Sequence, residues 1–175
     1  VVGHFHIVMG LSAIFAMFAG VYHWFPKLYG RMMNKKLGFA HFWLTLICGY
    51  GVFMPMHFTG EGGLPRRYYQ NTDFPMFDHM LDINILISIF AIIGVLGQII
   101  FFYNFFYSSF RGPKASQNPW NANSLEWTTP VEHVHGNWSG ALPEVHRWPY
   151  DYSKPGWEED FVPQNVPLRP DEEEH

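Results

Sequence analysis

Two histidines, His4 and His6, stand two residues apart at the head of an apolar run that reaches about Phe25. Imidazole is the commonest metal ligand among side chains and exchanges protons near neutral pH. A helix turns by about 100° per residue, so these two side chains project about 200° apart. They cannot ligate one ion together. Each can serve a different group on its own side of the helix, with Phe5 between them. A single histidine on an apolar helix is more often a satisfied core residue than a ligand. Two on opposite faces of one turn are harder to assign to packing, because imidazole at membrane depth is costly unless it is bonded or coordinating.

A second candidate is the pair Arg66-Arg67, in a loop shaped by Gly62, Gly63 and Pro65. The plain reading is a solvated basic pair beside a helix. The rigid guanidinium fork also suits charge-assisted recognition of a carboxylate. The remaining histidines carry less. His23 and His41 flank the first loop, where interfacial hydrogen bonds are expected, and His79 reads as a loop residue. His57, close to Pro55, can join a water or carboxylate network at the end of the second apolar run. His133 and His135 would share one face of an extended strand, although a metal site there is not expected.

The elements that must position these groups are membrane helices. Ile7 to Tyr22, Leu37 to Phe58 and Ile83 to Phe110 contain no Asp, Glu, Lys or Arg. Each is long enough for about 30 Å of hydrocarbon, or close to it once its flanks are included. The expected spans are about 1–25, 37–58 and 83–110. Gly10, Ala13, Ala16, Ala19 and Gly20 would let the first helix pack closely on a neighbour. Asn84, Ser88, Gln98 and Asn104 in the third span should bond neighbouring helices, and the Met and Phe side chains read as core or lipid-facing. Cys48 is the sole cysteine, so it forms no disulfide within the chain and should pack as a small apolar residue.

The loops set an orientation. Lys27, Arg31, Lys35 and Lys36 lie between the first two spans without an acid, and Arg111 and Lys114 follow the third. Glu61, Asp73, Asp78 and Asp82 outnumber Arg66 and Arg67 between the second and third. Loops rich in Lys and Arg stay on the cytoplasmic or matrix side. That puts His4 and His6 in the outer layer together with Arg66 and Arg67, which lie on the side where the rule does not call for them.

Past residue 110 the composition changes. Nine of the 13 prolines and five of the seven tryptophans fall there, with an acidic end from Asp171 to His175. Proline at that density precludes long helices, and the tryptophans carry too much apolar area for a free tail. An irregular, extended strap packed against other subunits is the expectation. Basic residues are too few and scattered for a nucleic-acid surface. The chain opens without an initiator Met and inside a helix, which suggests the C-terminal portion of a longer polypeptide.

Gly3-His4-Phe5-His6, His23-Trp24-Phe25-Pro26 and Pro65-Arg66-Arg67-Tyr68 together resemble the last part of subunit one of a haem–copper terminal oxidase. The resemblance covers residues 1 to about 110. Asn118-Pro119-Trp120 and Leu125-Glu126-Trp127 are similar to the tail of bacterial members. It implies His4 as proximal ligand of a high-spin, oxygen-reducing haem, His6 as ligand of a low-spin haem, and Arg66 and Arg67 on haem propionates. It further implies two haems, of the A type, and copper held by ligands outside this segment. The family reduces dioxygen to water with electrons from cytochrome c or quinol and pumps protons.

The fold class expected is an all-α integral membrane protein: three transmembrane helices of a larger bundle, then the irregular tail. Implied partners are the remainder of subunit one, other oxidase subunits including the one through which electrons arrive, cytochrome c, and membrane lipid. The location implied is the bacterial inner membrane, or the mitochondrial inner membrane as the alternative, with the tail on the cytoplasmic or matrix side. Three alternatives remain open at this level. A quinol oxidase or a nitric oxide reductase would share the paired histidines, and a non-enzymatic anchor subunit would use them only for hydrogen bonds.

Overall fold

The computed structural model describes residues 1–67, 74–129, 138, 140–153, 156 and 158–170. Its regular structure is helical, and among the described residues the only β pairing is an isolated antiparallel bridge between Arg31 and Lys114. Three helices are long and apolar enough to cross a membrane: α1 (Val2–Tyr29), α2 (Lys35–Glu61) and α3 (Leu81–Arg111, entered through a 3₁₀ turn at Pro75–Met80). With about 1.5 Å of rise per residue, the 31 residues of α3 span about 46 Å. That exceeds the hydrocarbon core. The chain forms two compact units, Val1–Trp24 with Met33–Gly112, and Phe25–Met32 with Pro113–His175.

In the first unit α2 packs along α3, and glycines set the distance. A β-carbon on Gly97 would lie 2.6 Å from Leu44, one on Gly51 2.5 Å from Phe90, and one on Gly94 3.0 Å from Cys48. Small residues at such crossings let helix backbones approach where no hydrophobic drive pushes them together. Gly10, Ala13, Ala16, Ala19 and Gly20 of α1 make no such crossing among the described residues. Ala13, Ala16 and Ala19 are exposed, Gly20 faces Trp24 of its own helix, and Gly10 faces His6. Close packing between helices falls to Gly3 of α1 and to the glycines of α2 and α3.

Polar residues tie the same helices together. Asn34 caps α2, its side-chain oxygen accepting from the N–H groups of Lys36 and Leu37 at 2.9 and 3.2 Å. Asn104, fully buried on α3, accepts from Asn34 N–H at 3.0 Å and donates to Asn34 O at 3.1 Å. Gln98 donates to Thr45 Oγ1 at 3.1 Å and to Gly94 O at 2.9 Å. Ser88 instead donates to Asn84 O in its own helix. His41 is 2% exposed, bonded to Gln98 Oε1 at 2.9 Å, with Phe18 edge-on to its ring. Because both Gln98 N–H groups are used, its oxygen must accept, so His41 carries its proton on Nε2. Its Nδ1 then accepts from the Tyr22 hydroxyl at 3.4 Å.

In the second unit, α1 runs through Pro26 to Tyr29 and stops at Gly30, whose left-handed φ of 63° closes the helix with an N–H bond to Pro26 O at 2.8 Å. The rest is irregular apart from a single turn, α4 (Leu125–Thr128). Its order comes from buried side chains bonded to backbone. Asn123, fully buried, donates to Asp151 O at 3.0 Å and accepts from Val162 N–H at 2.8 Å. Gln164 accepts from Leu125 N–H at 3.0 Å and donates to Arg147 O at 3.2 Å. Trp127 is buried, and Trp120 packs edge-on against it at 6.5 Å between ring centroids. His133, His135, Trp157 and the acidic end lie outside the described residues.

Candidate functional site

The chemistry-bearing residues of α1 sit where the helix changes its hydrogen-bond pattern. Val2–Phe5 is α-helical, His6–Leu11 is a π-helical segment, and Ser12 resumes the α-helix. Such widened turns are uncommon and concentrate at functional sites. His4 is exposed and bonds no described side chain. His6 is half-buried, and its surroundings are specific.

The His6 ring has a fixed tautomer. Its Nδ1 lies 2.9 Å from Val2 O. A carbonyl only accepts, so the proton must be on Nδ1, and the Nε2 lone pair is left for another group. Metal-bound histidines are held in this manner, one ring nitrogen donating to a carbonyl while the other ligates. The ring plane is fixed as well. Phe53 of α2 stacks on it with centroids 5.0 Å apart and planes 15° from parallel, and Phe5 stands edge-on at 5.4 Å and 85°.

The end of α2 is broken to meet it. Pro55 has no N–H, and His57 N–H bonds Met54 O at 3.0 Å instead of the Phe53 carbonyl one place further back. The His57 side chain covers that carbonyl, its Nδ1 lying 3.1 Å from Phe53 O and 3.2 Å from Met54 O. Nε2 of that ring is left for a further partner. Gly3 fits against the same feature, with room for no side chain: a β-carbon there would lie 2.6 Å from Phe53 O.

Arg66 and Arg67 are exposed in the loop that follows α2. Arg67 holds a left-handed φ of 64°, uncommon for a residue with a β-carbon. Neither guanidinium bonds a described side chain. Tyr68, which completes that motif, lies outside the described residues. Among the described residues no group of three or more His, Cys, Asp or Glu side chains is placed to hold a metal ion. A single imidazole with a bare Nε2 is nevertheless what a haem needs, since the porphyrin supplies four ligands itself. The donor set at this end of α1 therefore fits haem.

The sequence model of the cytochrome c and quinol oxidase polypeptide I family matches residues 1–95, more than half of the chain. The chain belongs to this family. It is 46% identical over 171 residues to the alternative cytochrome c oxidase subunit 1 of Bradyrhizobium diazoefficiens, covering 95% of this chain and 29% of that protein. It is 40% identical over 153 residues to cytochrome c oxidase subunit 1 of Thermostichus vulcanus, covering 87% of this chain and 26% of the relative. The subunit 1 of Synechocystis is 42% identical over 153 residues, with the same shares covered. The chain thus spans less than a third of the length of these relatives. As a polypeptide I family member with three apolar helices of spanning length, it is a membrane protein.

Residues 1–95 take in α1, α2 and more than a third of α3, so the family match includes His4, His6, Phe53, His57 and both arginines. Phe53 escapes a reading of sequence alone, because phenylalanine in an apolar helix is ordinarily core or lipid-facing. The available signal was its place four residues before His57 and two before Pro55, at the end of α2 that the loop orientation already assigned to the histidine layer.

Proposed function

We propose that this chain is part of the catalytic subunit of a haem–copper oxygen reductase, which reduces dioxygen to water with electrons from cytochrome c and couples this to proton pumping. His4 is the proximal ligand of the high-spin haem and His6 a ligand of the low-spin haem. Arg66 and Arg67 hold haem propionates. The haems are of the A type, and copper at the oxygen site is held by residues outside this segment. When bound, these groups supply the electron transfer and the oxygen chemistry. The protein supplies ligation, orientation and electrostatics.

The observation that carries this reading is the His6 tautomer, with Nδ1–H on Val2 O and Nε2 bare. The carbonyl fixes the direction of the ring. His4, on the same turn, would hold the other haem, so one helix turn would position both groups. Names of the relatives support cytochrome c over quinol as donor. Partners are the rest of subunit one, the other oxidase subunits and the surrounding lipid. The location is the bacterial inner membrane, with the first loop and the tail on the cytoplasmic side.

The test is a reduced-minus-oxidised optical spectrum of the purified complex carrying His6→Ala or His4→Ala. His6→Ala should abolish the low-spin haem signal, and His4→Ala should mainly damage oxygen and carbon monoxide binding. Equal perturbation of one haem by both substitutions, with the other untouched, would refute the two-sided assignment.

A further inference from the structure

The Phe53 ring lies nearly parallel to the His6 imidazole, at 5.0 Å and 15°. Its position is set from two sides. Gly3 lets the Phe53 backbone approach α1 so closely that a β-carbon would lie 2.6 Å from its carbonyl oxygen, and the His57 ring holds that same carbonyl at 3.1 Å. The Val2 carbonyl fixes one direction within the imidazole plane. That hydrogen bond alone lets the ring librate about the bond that carries it. The stacked Phe53 face removes this freedom.

Resting on the reading of His6 as an axial haem ligand, we propose that Phe53 is a positioning residue that sets the angle of the His6 imidazole plane about its iron-facing axis. The filled π orbital of an imidazole is perpendicular to its ring. The ring's angle therefore decides which of the two iron d orbitals of π symmetry it raises. In a low-spin ferric haem that splitting appears directly in the electron paramagnetic resonance g values. Phe53 thereby acts on the low-spin haem, whose proposed ligand its ring meets.

The experiment uses the intact oxidase complex with Phe53→Leu and Phe53→Tyr, read by ferric electron paramagnetic resonance and by haem content. Phe53→Leu keeps the apolar volume and removes the stack. It should shift the highest low-spin g value by more than its linewidth and broaden it, with haem content and the high-spin signal unchanged. Phe53→Tyr, which restores an aromatic face, should return the native g values. If the Leu protein assembles without its low-spin haem, Phe53→Met takes its place with the same outcomes. Native g values without the aromatic ring, or an equal shift in Phe53→Tyr, would overturn the proposal. Retention of the low-spin haem in His6→Ala would instead overturn the ligand reading on which it rests.

Discussion

Gly3 and Phe53 meet so closely that a β-carbon on Gly3 would sit 2.6 Å from the Phe53 carbonyl oxygen and 3.0 Å from two atoms of the His57 ring. The nearest atom belongs to backbone, so no rotamer change relieves the clash. Gly3→Ala must push the start of α1 away from α2, at a cost of about 1–3 kcal/mol typical of overpacking. The Val2 carbonyl moves with it and slackens the bond to His6. We expect a lower thermal midpoint for the purified complex and a reduced low-spin haem content. A wild-type midpoint and spectrum would show that the contact relaxes without cost.

Asn104 makes one carboxamide serve three partners. Its oxygen accepts from Asn34 N–H and from the Ser108 hydroxyl, both at 3.0 Å, and its nitrogen donates to Asn34 O. Asn104→Leu keeps the shape and removes the partners of both backbone groups of the exposed Asn34, a loss of about 0.5–1.5 kcal/mol for each hydrogen bond. Since Asn34 caps α2, the first turn of that helix should fray. Hydrogen exchange at Lys36 and Leu37 measures it directly, with faster exchange expected in the variant and unchanged exchange counting against the tie.

The spans were legible because a bilayer imposes its demand on composition: a helix crossing it must exclude charge over some 20 residues, and three charge-free runs satisfy that. The π segment was not, since Ile7 to Leu11 reads as ordinary apolar helix. The partners of His41 were not legible either, because its nearness to Lys35 and Lys36 in sequence hides its direction, which Gln98 and Phe18 decide. The stripe of alanines in α1 shows the same limit. Composition says that a helix can be approached closely, and the partner's shape decides where.

Arg66 and Arg67 should tune the haems without being required to retain them, since histidine–iron bonds and apolar contacts would hold each haem. A guanidinium beside a propionate offsets negative charge near the iron. Its loss favours the ferric state and lowers the reduction potential. Arg→Lys keeps the charge and loses the bidentate fork, so a partial version of the same defect is expected. Redox titration of each haem in Arg66→Gln, Arg67→Gln and the two Lys variants is the measurement. Unchanged midpoints in all four would remove the arginines from the propionate assignment.

Arg147 should hold the tail in its irregular fold. Its side chain is fully buried, donating through Nε to Val166 O and through Nη2 to Pro167 O, both at 2.9 Å, with Nη1 3.4 Å from Asp151 Oδ2. Asp151 is itself mostly buried, and its backbone carbonyl accepts from Asn123. Arg147→Met would keep the length of the stem, leave two carbonyls without these donors and strip Asp151 of its charge partner. Breaking one side of a buried pair costs about 3–5 kcal/mol, and no long helix or sheet is present among the described tail residues to absorb the loss. Arg147→Lys can satisfy one carbonyl or the carboxylate but not all three, so an intermediate defect is expected. Limited proteolysis of the assembled complex reads the outcome. Cleavage within residues 140–170 should appear in Arg147→Met at protease levels that leave the wild type intact, and equal resistance would mean that the tail is held by contacts other than this one.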